Sequence, residues 1–234
     1  MALLEHPIES ISEAALNGLI ATAVGESKYI EYKRELPGRT DGDKKEFLFD
    51  VSSFANADGG DILYGVEAPN GVPTSLVGLE KTEVDAQTLR CEQQVQAGID
   101  PRIPGLRFHP IDLASGRCVL MARIPKTWAR PHMVTFQNTN KFYSRNSAGK
   151  YLLDVNELRS AFLAGASLGE KIRAFRLDRV HTILNGDLSI ELPSNPKTVL
   201  HVLPAISFRP GFQVDLHKIA STRQQWTRPM RADS

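Results

Sequence analysis

The sequence predicts an α+β fold, a mixed β-sheet with flanking helices, followed by a small C-terminal helix and β extension. Two observations predict it. The first 100 residues alternate helical and strand-like segments, and residues 106–145 then have the pattern of short strands joined by tight connections. A helix–strand–helix–strand beginning followed by hairpins is typical of a mixed sheet, and not of a doubly wound parallel sheet.

Five segments in the front part of the chain have the apolar spacing of a helix or a strand. They are predicted helices at 8–22, 44–57 and 82–97, and predicted strands at 29–33 and 61–66. In the second of these helices, Phe47, Val51 and Phe54 fall on one face. Gly59-Gly60 ends that helix, because glycine readily adopts the left-handed conformation of a C-cap.

The back part of the chain has short strands and then helices. The predicted elements are strands at 106–113 and 117–124, which form a hairpin, strands at 133–136 and 141–145, helices at 154–164 and 167–185, and a small β segment over 187–217. We expect Asp154 to cap the first of these helices and Gly165 to separate it from the second. The tail from Ser221 has little apolar content, so we expect it to be frayed.

Length and composition bound the class of protein. A chain of 234 residues, 41% hydrophobic and 24% charged, suits one good-sized domain with a smaller appendage. We expect an N-terminal helix at 1–21, a main domain at 22–164, and an extension at 165–234 that resembles an incomplete second domain. No apolar run approaches the roughly 18 residues of a membrane span, and no secretory signal is present. Cys91 and Cys118 lack metal-ligand spacing, which favours free thiols in a cytoplasmic protein.

The near-neutral net charge of +1 conceals an asymmetry along the chain. Residues 1–116 hold 10 Lys/Arg and 19 Asp/Glu, a net charge of −9, whereas residues 117–234 hold 18 and 8, a net charge of +10. Acidic and basic faces that attract each other within one fold would explain this split. A basic surface that collects a polyanion, beside an acidic cluster that supplies metal ligands, would explain it equally well.

Two carboxylates and a lysine lie where strands could bring them to the edge of a sheet. Glu31 and Lys33 share a face of the predicted strand, about 6.6 Å apart along it. Such a pair recurs in metal-dependent nucleases, where the carboxylate holds Mg²⁺ or Mn²⁺ and the lysine steadies the phosphate. In the next strand, alternation places Gly65 beside Glu67, and the glycine would let a phosphate approach the carboxylate.

Glu26 joins these acids only if the chain bends near Gly25. The five-residue gap puts Glu26 and Glu31 on opposite faces of a strand. With the bend, three acids and Lys33 form one pocket beside the sheet. Without it, each acid is a solvated surface charge. The sequence leaves both interpretations open.

A nucleotide site is a further interpretation of the glycine-rich segment. Asn56, Gly59, Gly60 and Gly65 could cradle a phosphate, although glycines after a helix are first of all a C-cap. The sequence contains no P-loop, no dinucleotide-binding motif and no zinc motif. A nucleotide site would therefore depend on these four residues alone.

Three ordered motifs resemble the Schlafen AlbA-like domain. They are Glu26-Ser-x-x-x-Glu31-Tyr-Lys33, Ser53-Phe-Ala-Asn56-x-x-Gly59-Gly60 and Leu63-Tyr-Gly65-Val66-Glu67. The family typically has E-S-x-x-x-E-F-K, A-F-A-N-T-x-G-G and a hydrophobic-I-G-V-D-D strand. Two later segments also resemble the family, Phe142-Tyr143-Ser-Arg145-Asn-Ser and Asp154-Val-Asn-Glu157-Leu. The resemblance covers about residues 22–164.

The resemblance implies a nucleic-acid-processing protein that cleaves RNA with a divalent metal, as animal Schlafen proteins do, in defence against phage or in stress. The family's acidic triad maps onto Glu26, Glu31 and Glu67, which would hold Mg²⁺ or Mn²⁺. Glu67 replaces the family's aspartate, and Ala68 stands where a second acid is usual. Lys33 would contact the scissile phosphate. The contacts with the sugar–phosphate backbone of the nucleic acid would come from Arg145, Lys150, Arg123 and Arg130.

Two other functions remain open from the sequence. Many bacterial relatives are described as DNA-binding or ATP-binding, so the same domain could be a non-catalytic DNA- or RNA-binding regulator, or an ATP-binding protein. The expected partner is nucleic acid, with RNA favoured over DNA. The extension at 165–234 could join a second copy of the chain or a partner protein, and no membrane partner is expected.

Overall fold

The structure is a computed structural model, and it describes residues 3–187 and residue 200 of the chain. Over these residues the helices are α1 (Glu13–Ala21), α2 (Asp41–Asn56), α3 (Lys81–Gly98) and α4 (Val155–Asn185). The strands are β1 (Ile30–Lys33), β2 (Gly60–Tyr64), β3 (Val66–Glu67), β4 (Ser75–Leu76), β5 (Ile99–Asp100), β6 (Arg107–Asp112), β7 (Cys118–Ile124), β8 (Met133–Val134), β9 (Lys141–Asn146) and β10 (Gly149–Leu152). The predicted α+β fold is confirmed.

Two four-stranded sheets and a two-stranded ribbon form the β structure of the described residues. The first sheet has the order β1-β2-β7-β6; β1 and β2 are parallel, and the other pairs are antiparallel. The second sheet, β10-β9-β8-β5, is antiparallel throughout. Because β1 and β2 are parallel, the chain must cross over between them, and α2 makes that crossover.

The first sheet is buried on both faces. Ile62 and Tyr64 of β2 belong to a core cluster that contains the apolar faces of α2 and α3. Leu63, between them, belongs to a second cluster that contains α1 and the residues before it. β2 is therefore a central strand, and each helix that packs on it has a fixed position relative to the strand ends.

Helix α2 has a strong start signal in its own sequence. Thr40 Oγ1 accepts a hydrogen bond from the Asp43 backbone N–H at 3.2 Å, and Asp43 Oδ2 accepts one from the Thr40 N–H at 3.0 Å. This reciprocal capping box satisfies two N–H groups that the helix itself leaves without partners. At the other end, Gly59 has φ +77° and donates to Phe54 O at 2.9 Å. The predicted glycine stop is thus correct.

Two predicted boundaries were wrong. Gly165 does not end a helix, since α4 runs without interruption from Val155 to Asn185; one glycine costs a helix only about 1 kcal/mol, which does not force a break. Gly65, with φ +95°, ends β2 at Tyr64 and reverses the alternation, so that Val66 packs in the same cluster as Leu63. Gly65 and Glu67 therefore do not share a strand face as predicted.

Smaller differences lie at the ends of the described region. Residues 3–10 form two short 3₁₀ turns, and the first α-helix begins only at Glu13. Strand β10 was not predicted. Asp154 caps α4 as expected, accepting from the N–H groups of Asn156 and Glu157 at 2.8 Å each. The β segment expected at 187–217 lies outside the described residues, apart from residues 187 and 200.

The chain divides into two compact units, Met1–Ser167 and Leu168–Ser234. The first unit holds all of the strands described above. In the second, the described residues comprise the C-terminal part of α4, two residues after it and the exposed Leu200. No helix in the described part of the chain has the length and apolar character needed to cross a bilayer.

Gly60 begins β2 at a point where a side chain has no space. An added Cβ would overlap the Phe54 ring and lie 2.7 Å from the backbone oxygen of Tyr29. We expect Gly60→Ala to lower the free energy of unfolding by about 1–3 kcal/mol, the usual cost of overpacking a core. Urea denaturation of the parent chain and the variant measures this difference.

Gly18→Ala is the matched control, because Gly18 lies inside α1 and an added Cβ would meet nothing within 4 Å. Alanine favours the helix, so this variant should gain up to about 1 kcal/mol. Equal stability of the two variants would contradict the close packing described at Gly60.

Candidate functional site

Arg145 of β9 is a buried guanidinium in the first unit. Its side chain is 4% exposed, and its Cζ lies 3.6 Å from the centroid of the Phe54 ring. Nη1 donates to Oε2 of Glu31 at 2.8 Å. Nε is buried and has no hydrogen-bond partner among the described residues. Arg145 therefore has one carboxylate partner there and donor capacity that this partner does not use.

Glu31 and Lys33 lie on one face of β1, as predicted, and they meet a third charged residue from α2. Lys33 Nζ is 2.6 Å from Oε1 of Glu31 and 3.4 Å from Oδ2 of Asp50. The other oxygen of Asp50 accepts from Lys150 Nζ of β10 at 2.7 Å. Opposite charges thus alternate along a series of side chains that we call the ionic chain: Arg145, Glu31, Lys33, Asp50, Lys150 and Glu46.

The two carboxylates inside the ionic chain have pKa values displaced in opposite directions. Burial raises the pKa of Glu31, but Lys33 and Arg145 outweigh that effect and hold the pKa below its ordinary value. Burial and the negative charge of Glu31 together raise the pKa of Asp50, against the opposing effect of the two lysines. Burial lowers the pKa of Lys33, yet Asp50 and Glu31 raise it above its ordinary value. Glu31 is therefore an ionised group near neutral pH.

A cavity of about 860 Å³, which we call the groove, lies beside Arg145. It is bordered by the end of α2, the β9–β10 hairpin and the first turns of α4. Its cationic and polar lining includes Lys28, Arg130, Arg145, Ser144, Asn146 and Ser160. A neighbouring depression of about 400 Å³ shares Arg145 and Ser147 with the groove and contains Glu26. Arg145 therefore lies where the two concave surfaces meet.

The chain does turn before β1, between Glu26 and Glu31. Ser27 N donates to Ile30 O at 3.0 Å, which closes the turn. Oε1 of Glu26 then accepts from the backbone N–H of Tyr32 at 3.0 Å. The carboxylate of Glu26 is thus held against the start of the sheet, in the depression that also contains Arg145.

Glu67 lies apart from these residues. It forms an ion pair with Arg34, and its short strand pairs with β4. Among the residues that the structure describes, no group of three or more His, Cys, Asp or Glu side chains is arranged to hold a metal ion. As placed here, Glu26, Glu31 and Glu67 do not fit a common Mg²⁺ or Mn²⁺ site.

The other three side chains predicted to contact the nucleic-acid backbone have partners within the protein. Arg123 pairs with buried Asp61, at 2.8 Å from Nε to Oδ1, and donates to the carbonyl oxygens of Leu3 and His6. Arg130 Nη1 donates to Asn56 O at 3.2 Å at the end of α2. Lys150 is held in the ionic chain. Of these three, Arg130 is the one that also lines the groove.

Asn56 and the glycines after it face protein atoms. The Asn56 amide donates to the carbonyl oxygens of His132 (2.9 Å) and Tyr143 (2.8 Å), and its oxygen accepts from the His132 N–H at 2.7 Å. An added Cβ at Gly59 would lie 2.6 Å from the Lys126 backbone nitrogen. The close approach that requires these glycines is made by the protein's own backbone, which is not the arrangement that a phosphate cradle needs.

Asp58 links two lysines beside the groove. Its carboxylate lies 3.1 Å from Lys28 Nζ and 2.5 Å from Lys126 Nζ. The hydrogen bond from Lys126, aided by Lys28, lowers the pKa of Asp58 to about 2. Two positive charges thus share one negative charge, and of these lysines Lys28 lines the groove.

Sequence reasoning missed Asp50, Asp58 and Lys28. A signal for Asp50 was present, because residue 50 falls between Phe47 and Phe54 on the apolar face of the predicted helix, where a carboxylate needs partners. The pairing of Asp58 with its lysines has no comparable local signal, because it depends on how the loop after β7 packs.

A model of the family described as Schlafen, AlbA_2 matches residues 26–154. No curated protein matches the chain. The DIP2311 protein from Corynebacterium diphtheriae is similar in structure, with a TM-score of 0.40 and 16% identity, over 60% of this chain and 26% of that one. The N-terminal domain of a protein from Nitrosomonas europaea, described as related to the ATP-dependent DNA helicase RecG, has a TM-score of 0.42 and 23% identity, over 56% of this chain and 84% of that one. The chain thus spans about a quarter of the first of these proteins.

Asp58→Asn should expose the role of the shared carboxylate. The pKa of Asp58 is about 2 in the folded chain and about 3.9 in an unfolded one. A lowered pKa stabilises the fold above the unfolded value, and this stabilisation is lost as the pH falls from about 4 to 2. Because the Asp58 side chain is 39% exposed, solvent screens its ion pairs and reduces their contribution to stability. We therefore expect the variant to be about 1 kcal/mol less stable at pH 6.

Urea denaturation at several pH values measures this difference. Asp112→Asn is the control. Asp112 pairs with a single lysine, Lys81, at 2.8 Å and is 77% exposed, so its substitution should lower the stability less than Asp58→Asn does. A difference for Asp58→Asn that stays constant down to pH 2 would contradict the assigned pairing.

Proposed function

The chain belongs to the Schlafen AlbA_2 family. From this premise we propose that it binds nucleic acid, and that a nucleic-acid strand lies in the groove beside Arg145. The family supports an association with nucleic acid. The groove joins a recessed guanidinium to Lys28, Arg130 and several hydroxyl and amide side chains, and its lining also contains the carboxylates of Asp58 and Glu157. Guanidinium groups recognise phosphate through several N–H donors at once.

Arg145 carries the proposal. Among the described residues Glu31 is its one acidic partner, and Glu31 also neutralises Lys33. The guanidinium stacks on Phe54, which fixes its plane without using its donors. A phosphate that enters the groove therefore meets a cation whose orientation is already set, at little further cost in side-chain entropy.

Binding is supported better than a ready-made cutting site. The acids near Arg145 are held by cations or by backbone N–H groups, and Glu67 pairs elsewhere with Arg34. The three acids of the family motif do not meet, so no catalytic step through a metal ion follows from this arrangement. The primary proposal is therefore that the chain binds nucleic acid. The resemblance of the sequence to RNA-cleaving relatives favours RNA over DNA as the ligand.

A metal-dependent ribonuclease is the second candidate. It is favoured by the positions of two acids around Arg145. Glu26 lies in the depression that Arg145 also lines, and Glu31 forms an ion pair with Arg145. The lowered pKa of Glu31 keeps this carboxylate ionised, as a metal ligand must be. This candidate requires RNA cleavage with Mg²⁺ or Mn²⁺ that a chelator abolishes.

Binding and cleavage of one labelled RNA, measured side by side with and without chelator, test both candidates. Under the binding proposal the complex survives chelation and weakens with salt, because phosphate binding releases counterions.

Arg145→Lys keeps the charge but loses the planar donors and the stacking on Phe54. We expect affinity about three- to tenfold weaker with an almost unchanged salt slope. Arg107→Lys on β6 is the matched control and should bind as the parent does.

Glu31→Gln separates the two candidates. It removes the negative charge between Arg145 and Lys33, so we expect RNA binding to tighten, by about three- to tenfold. Under the ribonuclease candidate the same substitution abolishes cleavage. An absence of RNA binding by the parent chain, in low salt and with either metal present, would overturn the primary proposal.

A further inference from the structure

Tyr29 is an exposed aromatic side chain that follows Lys28, a residue of the groove, in the chain. Its relative exposure is 41%. Lys28, the preceding residue, lines the groove, and its Nζ lies 4.5 Å from the centroid of the Tyr29 ring. The other aromatic side chain that is prominently exposed in the described residues is Phe162, which packs edge-on against Phe142. Tyr29 thus combines exposure with a cationic neighbour that belongs to the groove.

The backbone of Tyr29 is held firmly. Its carbonyl oxygen accepts from Asp61 N at 2.9 Å, and its N–H donates to Ser27 Oγ at 3.2 Å. The turn that carries it is closed by the bridge between Ser27 and Ile30, and Gly60 packs directly against its carbonyl oxygen. An aromatic ring on such a fixed backbone loses little conformational entropy when a flat partner stacks on it.

We propose that Tyr29 is a stacking platform for a base of single-stranded nucleic acid whose phosphates lie in the groove. This inference rests on the proposed function and adds the class of strand. Sites for single strands combine a positively charged groove with aromatic rings on which bases stack. In a duplex the base faces cover one another and cannot reach a side chain without unstacking. The recess of Arg145, only 4% exposed, also favours a flexible strand over a rigid double helix.

Tyr29 is suited to substitution because its ring is exposed and its hydrogen bonds to the sheet come from its backbone, while the ring itself contacts Lys28. Fluorescence anisotropy with the full chain would compare Tyr29→Ala, Tyr29→Leu and Tyr29→Phe on a labelled single-stranded RNA of about 12 nucleotides. The same RNA annealed to its complement is the duplex probe. Leu89→Ala, an exposed apolar truncation on α3, is the control variant.

We expect the alanine and leucine variants to bind the single strand about five- to a hundredfold more weakly, the range that one base–aromatic stack supports. The phenylalanine variant and the Leu89 control should bind as the parent does. The duplex should bind more weakly than the single strand and be insensitive to all three Tyr29 variants. A strand with abasic sites should bind the parent as weakly as the intact strand binds Tyr29→Ala.

The possible failures are distinguishable. Parent-like binding by Tyr29→Ala, equal binding by the leucine and phenylalanine variants, or a duplex that binds as tightly as the single strand would overturn the stacking platform and leave the proposed function standing. A parent chain that binds neither RNA would overturn the proposed function and this inference together.

Discussion

The buried carboxylate of Asp50 is the constraint on which the candidate site depends. It lies on α2 with 3% of its side chain exposed, and a carboxylate in that position is tolerated only when it is paired. Its two oxygens face lysines from two other elements, Lys33 of β1 and Lys150 of β10. Because Lys33 also pairs with Glu31, and Glu31 with Arg145, the position of Arg145 follows from where α2 places Asp50. Three segments far apart in the chain are thus joined by one line of alternating charges.

This arrangement also accounts for part of the opposite charges of the two halves of the chain. Acids of the front half pair with cations of the back half: Glu31 with Arg145, Glu46 and Asp50 with Lys150, Asp58 with Lys126, Asp61 with Arg123, and Glu80 with Arg117. In the described residues these pairs use five of the 18 cations of the back half and six of the 19 acids of the front half, so part of the asymmetry is taken up by ion pairs within the fold. The charge asymmetry is not by itself a sign of a polyanion partner, and the local geometry of the groove is the feature that favours nucleic acid.

The fold was largely predictable because its signals are local. The capping residues before α2, the glycine stop after it and the apolar spacing within it are written in about 20 consecutive residues, and the family motifs lie in the same part of the chain. The site was less predictable because its contacts are not local. Glu31 and Lys33 were expected on one face and are found there, but their partners come from α2 and β9. Glu67 was misplaced for a different reason, since the positive φ of Gly65 breaks the alternation on which the prediction relied.

The low net charge of the chain has a consequence for selectivity under the proposed function. A protein with a net charge of +1 exerts only a weak long-range attraction on a polyanion. Affinity must then come from short-range contacts, which a ligand makes only if its shape fits. Arg145 is recessed and can be reached by a phosphate on a bendable strand, while the exposed ring of Tyr29 can be covered only by a flat group that is not already stacked. Both contacts add discrimination by shape to the attraction between charges, and under the proposed function this favours a single nucleic-acid strand over a duplex.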